Sequence, residues 1–268
     1  MSTVSEREKV ALKEIATEAG SLLLDLYGKE LDMVRKGTHD YATGADIQSE
    51  RLIIGRLREH HLPYTVMAEE KLEDIEFPLR LGDEGILYVD PLEGTHNFSR
   101  KRAGFGFGVT LGLVRDGIPT YVVFFNPTIT EMYEAELNQG AYLNGERLQV
   151  SQRAERLDVI FNHWPDLKYV GSYLDKLRGV TEYTPTSCSD AIDIWTVARG
   201  SADGLVYVFK HADTHDLIST LGITEAGGVA TNIKGQPWFS LDRSGFMKVS
   251  HSMLAGNPMV HQKLLSLF

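Results

Sequence analysis

The sequence predicts an α+β protein in which helices and β-sheets form separate layers. Two amphipathic helices come before residue 60, and a meander of short strands joined by turn residues follows from about residue 86 to residue 151. Strands and helices alternate in the rest of the chain. We expect two closely joined parts in one compact unit, residues 1–153 and residues 154–268.

The composition indicates a folded, acidic protein. Of its 268 residues, 43% are hydrophobic, and the net charge is -10, which argues against nucleic-acid binding because phosphate backbones attract basic surfaces. The amino terminus lacks the apolar core of a signal peptide, and no uncharged apolar run approaches the roughly 20 residues of a membrane span. We therefore expect a cytoplasmic protein that binds no membrane. Cys188, the only cysteine, is expected to be a small buried residue.

The first elements are two helices joined by a polar segment. Apolar residues recur at helical spacing from Ser5 to about Gly28. The segment Met33–Thr43 is polar and indicates a hairpin or a mobile loop. A second helix opens at Gly44, and Asp46 in its first turn is, on these residues alone, most simply a helix cap.

Short strands and turn residues alternate between residues 64 and 151. Asp116-Gly117 and Asn144-Gly145 predict tight hairpins, because such turns require a left-handed backbone. Glycines at alternate positions from Gly104 to Gly112 share one strand face, which predicts that another element packs closely against that face. The predicted strands are Tyr64–Met67, Ile86–Val89, Ile118–Phe125 and Thr130–Glu136.

The remaining elements alternate between strand and helix. Apolar spacing predicts a helix between Ser187 and Gly200, capped by Ser187 or Ser189, and a helix amino terminus is a natural seat for an anion. The other predicted elements are a strand at Asp158–Trp164, a helix around Leu167–Leu177, a strand at Asp203–Val208, a helix after Asp216, a strand near Val249 and a terminal helix.

The segment Asp90-Pro91-Leu92-Glu93-Gly94-Thr95 gathers oxygen atoms where the central strand is expected to end. Proline biases the residue before it away from helix, and glycine permits a left-handed bend, so the chain is predicted to turn at Asp90. The segment presents two carboxylates, a free carbonyl at Leu92 and a hydroxyl, which are ligands that Mg²⁺ prefers. Asp-Pro and Glu-Gly pairs are also ordinary turn residues, so this segment alone leaves both interpretations open.

Several motifs together resemble the inositol monophosphatase family of magnesium-dependent sugar and polyol phosphatases. Residues 90–95 are similar to its D-P-[IL]-D-G-T signature, with Glu93 in place of the usual aspartate. Residues 43–50, 68–70 and 215–228 are similar to its T-x-x-D-x-x-x-E, G-E-E and W-D…E-A-G-G patterns. The resemblance spans about residues 10–250 and implies a layered α-β-α-β-α sandwich.

The resemblance also implies a site that holds two or three Mg²⁺ ions. The implied metal ligands are Glu69, Asp90, the Leu92 carbonyl, Glu93 and Asp216. Glu69, Thr95 and Asp46 are implied to orient and deprotonate the attacking water, with Asp46 hydrogen-bonded to Thr95. The implied substrate contacts are Gly94, Thr95, Glu93, Ser189, Asp190 and Asp216. Asp190 stands where a small neutral residue is usual, and Phe209 stands where the animal enzymes carry a polyol-binding glutamate.

These assignments predict a phosphomonoesterase that uses metal-activated water. The expected substrate is inositol monophosphate, with fructose 1,6-bisphosphate as a second candidate. Histidinol phosphate and 3′-phosphoadenosine 5′-phosphate are alternatives within the family, and a homodimer is expected from the resemblance. A different hypothesis is that Glu93 and Asp190 impair the site and leave a phosphatase-like scaffold that acts through a protein partner.

Overall fold

Two helices cover one face of a large sheet. The computed structural model describes residues 3–35, 41–72, 74–102, 104–164, 170–209, 214–239 and 252–268. Helix α1 (Glu6–Leu26) and helix α2 (Gly44–Glu59) pack against each other and bury their apolar faces on the sheet. Strands β1 (Met33–Arg35) and β2 (Tyr41–Thr43) pair in antiparallel fashion before α2. This confirms the hairpin, one of the two structures predicted for Met33–Thr43.

The large sheet has eight strands and contains the predicted meander. From one edge to the other, its order is β10-β9-β8-β7-β6-β5-β3-β4, and all neighbours are antiparallel except β3 and β5, which are parallel. The backbone is left-handed at Asp116-Gly117 and Asn144-Gly145, so both predicted turns are confirmed. The strands are β3 (Thr65–Ala68), β4 (Leu79–Arg80), β5 (Ile86–Glu93), β6 (Gly108–Arg115), β7 (Ile118–Asn126), β8 (Glu131–Glu136), β9 (Gly140–Leu143) and β10 (Glu146–Arg147).

The central strand β5 is longer than the sequence predicted. The predicted end at Asp90 is wrong, because β5 continues to Glu93 with a register shift against β6 between these two residues. Pro91 is tolerated because regular pairing is interrupted where it lies. The chain turns instead at Gly94, where φ is 83°.

The glycine face of β6 allows the close packing that was predicted, although β6 begins only at Gly108. A Cβ atom at Gly112 would lie 2.4 Å from a side-chain carbon of Ile218, so only glycine fits there without movement.

A second sheet and six further helices complete the described fold. The sheet order is β12-β11-β13-β15-β14, and β11 is parallel to both of its neighbours. Its strands are β11 (Leu157–Trp164), β12 (Thr181–Tyr183), β13 (Gly204–Phe209), β14 (Val229–Asn232) and β15 (Met253–Gly256). The helices are α3 (Thr95–Ser99), α4 (Val170–Leu177), α5 (Asp190–Ala198), α6 (Thr214–Leu217), α7 (Leu221–Glu225) and α8 (Pro258–Leu265), with a 3-10 turn at Ile218–Thr220. The turn and strand predicted within residues 241–250 lie outside the described residues.

The two sheets enclose a layer of helices, which gives the predicted α-β-α-β-α order. Trp195 of α5 and Ile223 of α7 share one apolar core with Phe124 of β7 and Leu205 of β13. Alternate residues of β13, such as Val206, face the opposite way and pack with α4 and α8. Within the described ranges, no helix is both long enough and apolar enough to cross a membrane.

The buried carboxylate of Asp203 ties residues 151–158 to the second sheet. It accepts hydrogen bonds from Ser151 Oγ at 2.5 Å, Arg153 Nε at 2.7 Å and the Asp158 N–H at 2.8 Å. Asn257 Nδ2 donates to the carbonyl of Arg153 at 2.9 Å and so holds the same segment. The predicted boundary at residue 153 lies in this segment and stays a prediction.

Replacing Asp203 by alanine is expected to lower the free energy of unfolding by about 2 kcal/mol, because three donors lose the buried carboxylate that accepts from them. The ion pair with Arg153 adds little, since 48% of the Arg153 side chain is exposed. Urea denaturation measures the change. The control is Asp175→Ala, whose side chain is 72% exposed beside Arg178, with an expected change below about 0.5 kcal/mol. Equal changes in the two variants would contradict the role given to Asp203.

Candidate active site

Helix α2 presents three buried polar side chains to the ends of β3 and β5. Asp46, Ser49 and Glu50 lie on one helical face with no exposed area. Ser49 Oγ donates to the carbonyl of Pro91 at 2.7 Å, and Glu50 Oε2 accepts from the Glu70 N–H at 2.8 Å. Sequence reasoning missed Ser49, although its position three residues after Asp46 was an available signal.

Asp46 joins the start of α2 to the loop after β5. Its Oδ2 accepts from both the N–H and the hydroxyl of Thr43, which forms a capping box, and its Oδ1 accepts from Thr95 Oγ1 at 3.1 Å. Asp46 therefore caps α2, as the local sequence predicted, and also forms the hydrogen bond with Thr95 that the resemblance implied. Thr95 Oγ1 also lies 2.9 Å from the Leu92 carbonyl oxygen. The catalytic roles of Asp46 and Thr95 stay predictions.

Burial dominates the ionisation of Asp46. It raises the pKa of this carboxyl from 3.8 to about 6, against the opposing effect of the hydrogen bonds from Thr43. The negative charge of Glu69 raises the pKa further, so this glutamate lies within electrostatic range of Asp46. The site thus concentrates negative charge in a region with little solvent.

Asp90 and Glu93 are both buried at the end of β5, with 3% and 6% of their surface exposed. Asp90 Oδ1 accepts from the Leu92 N–H at 3.0 Å. Glu93 Oε1 accepts from Ser189 Oγ at 2.9 Å and from the Asp190 N–H at 3.0 Å, across the gap to α5. Burial raises the pKa of Glu93, hydrogen bonds with Ser189 and Asp90 lower it, and the charge of Glu69 raises it again.

Glu69 follows β3, beside the end of β5. Its N–H donates to the Val89 carbonyl at 3.0 Å and so extends the parallel pairing of the two strands by one residue. Its charge acts on both Asp46 and Glu93, so Glu69 lies within electrostatic range of these two carboxyl groups. The role of Glu69, Asp90 and Glu93 as metal ligands stays a prediction.

The fourth predicted carboxylate belongs to Asp216 in α6. This helix packs against β5, so the backbone of Asp216 lies beside the strand that carries Asp90. Its side chain lies outside the described part of the chain. Among the described residues, no group of three or more His, Cys, Asp or Glu side chains is arranged so that it could hold a metal ion. Glu69, Asp90 and Glu93 therefore do not form such a group by themselves.

The residues around the end of β5 nevertheless have the chemistry that a hard cation requires. The predicted donors are all oxygen atoms, from carboxylates and the Leu92 carbonyl, which suit Mg²⁺. The raised pKa values of Asp46 and Glu93 show that burying these charges is unfavourable in the protein alone. A divalent cation would offset this unfavourable burial.

The turn before α5 places two predicted substrate-binding residues against Glu93. Ser189 is the N-cap of α5, which decides between the two predicted caps. The carboxylate of Asp190 accepts from Asn162 Nδ2 at 2.9 Å and from the hydroxyl of Tyr207. Sequence reasoning missed Asn162 and Tyr207, whose only signal was their place near the carboxyl ends of parallel strands.

Near this turn, one expectation from the sequence is wrong and another is confirmed. Cys188 is exposed with φ of 58°, so the expectation of a buried cysteine is wrong. Gly94 is left-handed as predicted, and a Cβ atom there would lie 3.2 Å from the Gly106 carbonyl oxygen. The substrate contacts predicted for Gly94, Thr95, Ser189 and Asp190 stay predictions.

Comparison with known proteins gives consistent matches over almost the whole chain. The model of the inositol monophosphatase family matches residues 4–267. A Xylella fastidiosa protein named Nus factor SuhB is 30% identical over 264 residues, covering 93% of this chain and 90% of the relative. A Thermotoga maritima protein named fructose-1,6-bisphosphatase/inositol-1-monophosphatase is 25% identical over 254 residues, covering 94% and 92%.

A solved structure shares the same architecture. The extragenic suppressor protein suhB from Bartonella henselae superposes with a TM-score of 0.82 at 28% identity, covering 97% of each chain. This match and the observed layers confirm the predicted fold class.

Proposed function

The chain belongs to the inositol monophosphatase family of metal-dependent phosphatases, and we propose that it is a magnesium-dependent phosphomonoesterase acting on inositol monophosphate. The observation that carries this proposal is the burial of Asp90 and Glu93 together at the end of β5, beside the Asp46–Thr95 hydrogen bond. Glu69 lies within electrostatic range of Asp46 and Glu93. Fructose 1,6-bisphosphate is a second candidate substrate, because the name of the Thermotoga maritima relative includes both activities.

The residues at the end of β5 would hold the cations. Glu69, Asp90, Glu93 and the Leu92 carbonyl are the proposed ligands on this side of the site, and Asp216 is the proposed ligand from α6. When bound, two or three Mg²⁺ ions would lower the pKa of a water molecule and stabilise the charge on the phosphate and the departing oxygen.

Thr95 and its neighbours would orient and deprotonate the attacking water. The Thr95 hydroxyl has one proton, which faces two acceptors, Asp46 Oδ1 and the Leu92 carbonyl oxygen. Its lone pairs therefore remain available to accept a hydrogen bond from a water molecule. Glu69, directly after β3, is the proposed base for the same water.

The backbone at the start of α3 would contact the phosphate. The N–H groups of Gly94 and Thr95 follow the left-handed turn, where backbone donors can converge on an anion. Contacts to the sugar or polyol are proposed for Ser189, Asp190 and Asp216, and the proposed assembly is a homodimer.

A scaffold that acts through a protein partner is the second candidate function. It is favoured by one observation, the name Nus factor SuhB of the Xylella fastidiosa relative. The carboxylates of Asp90 and Glu93 are both present and buried together, which favours catalysis over this alternative.

Phosphate release from a panel of small phosphates tests the proposal. The panel contains inositol 1-phosphate, fructose 1,6-bisphosphate, histidinol phosphate and 3′-phosphoadenosine 5′-phosphate, each with Mg²⁺ and with a chelator. We expect release from inositol 1-phosphate in Mg²⁺ and none after chelation. Release from another member alone would reassign the substrate, and release from no member would favour the scaffold.

A further inference from the structure

Two adjacent strands of the second sheet hold the two oxygen atoms of Asp190. Asn162 of β11 lies opposite Tyr207 of β13 in the parallel register, so the two side chains lie near one another. Asn162 Nδ2 donates to Asp190 Oδ1 at 2.9 Å, and the Tyr207 hydroxyl donates to Asp190 Oδ2. The first residue of α5 is therefore fixed to the sheet at both carboxylate oxygens.

The same amide also holds the other side of the turn. Asn162 Nδ2 donates to Asp193 Oδ2 at 2.9 Å, and Asp193 Oδ1 accepts from the Ser187 N–H at 2.8 Å. Asp193 is 2% exposed and Asn162 is 7% exposed. Because an amide nitrogen has two protons, Asn162 uses both to fix residues 187–190 from two directions.

Two groups of this turn bind the carboxylate of Glu93. Ser189 Oγ and the Asp190 N–H both donate to Glu93 Oε1, at 2.9 Å and 3.0 Å. Glu93 belongs to the large sheet, so these bonds connect the two sheets through the turn. Hydrogen bonds therefore connect Asn162, through Asp190, to the carboxylate of Glu93.

We propose that Asn162 is a positioning residue for the carboxylate of Glu93, acting through Asp190 and the turn before α5. The inference rests on the proposed function, in which Glu93 is a metal ligand. A carboxylate held in place binds a cation more tightly than a loosely held one, and residues that orient metal ligands typically change affinity 10–100-fold when removed.

Calorimetric titration of the full chain with Mg²⁺ or Mn²⁺, without substrate, tests the inference. Asn162→Ala is expected to weaken cation binding roughly tenfold. Asn232→Ala is the control, because Asn232 is a similarly buried amide whose bonds serve the turn at Gln236, and it should leave the affinity unchanged. Tyr207→Phe removes one of the two hydrogen bonds to the Asp190 carboxylate. It should weaken cation binding by a smaller factor than Asn162→Ala does.

A double-mutant cycle separates positioning from general loosening of the fold. In the Glu93→Gln background, adding Asn162→Ala should change the affinity by less than about twofold, because the two residues act as one unit. Additive effects, or wild-type affinity in both Asn162→Ala and Tyr207→Phe, would overturn the inference. If Asn162→Ala does not fold, Tyr207→Phe takes its place in the cycle. Absence of cation binding by the wild-type chain would overturn the proposed function, and this inference with it.

Discussion

Replacing Asp90 by asparagine is expected to lower kcat/KM for inositol 1-phosphate roughly 10³-fold, since a metal ligand contributes several kcal/mol to transition-state stabilisation. Asparagine keeps the shape of the side chain and an oxygen that can accept from the Leu92 N–H, so the fold should remain intact. Steady-state kinetics in saturating Mg²⁺ measures the loss, and thermal unfolding of the same preparation checks the fold.

Asp74→Asn is the matched control for this substitution. Asp74 is exposed and pairs with Arg51 on the surface, at 2.9 Å, so its replacement should leave kcat/KM unchanged. If Asp90→Asn kept activity within tenfold of the wild type, Asp90 would not be a metal ligand in the reaction.

The metal-free protein is expected to lose stability as the pH rises from about 4 to 6 because of Asp46. Its pKa is about 6 in the folded protein and ordinarily 3.8, so the folded state keeps a proton that the unfolded state has released. Stability therefore falls with rising pH across this window, and the penalty is complete above pH 6. The difference between the two pKa values corresponds to roughly 3 kcal/mol.

Urea unfolding of the wild type and of Asp46→Asn, both with a chelator present, isolates this effect. The variant has no ionisable group at residue 46, so its free energy of unfolding should rise relative to the wild type by up to roughly 3 kcal/mol between pH 4 and 7. Glu93 also has a raised pKa but is common to both proteins, so it cancels in the comparison. Parallel curves over this range would contradict the role given to burial of Asp46.

Local sequence signals account for most of the fold. Helical spacing in α1 and α2 and the turns at Asp116-Gly117 and Asn144-Gly145 depend on neighbouring residues, and the structure confirms them. The bare face of β6 was also visible in the sequence, because glycines recur there at alternate positions. Such features follow from backbone geometry and need no knowledge of distant contacts.

Features that depend on distant contacts were less accessible. The strand β5 passes through Pro91 because β6 pairs on both sides of a register shift, which no local pattern reports. The Asp46–Thr95 hydrogen bond was expected only from the resemblance to the family. The local sequence alone favoured a helix cap at Asp46. The link from Asn162 to Glu93 joins two sheets through side chains far apart in the sequence.

Cys188 is exposed, although free cysteines are usually buried, because hydrogen bonds fix the backbone of the turn that carries it. Asp193 and Asn162 anchor the residues on either side, and the backbone at Cys188 is left-handed. Preference averaged over many proteins therefore gave the wrong expectation at this residue.

An exposed thiol with no second cysteine anywhere in the chain is also a ready attachment point. One alkylation would place a nitroxide or fluorophore on the turn whose next residue contacts Glu93, without prior mutagenesis. The mobility of that probe in solution would then report directly how firmly the turn is anchored.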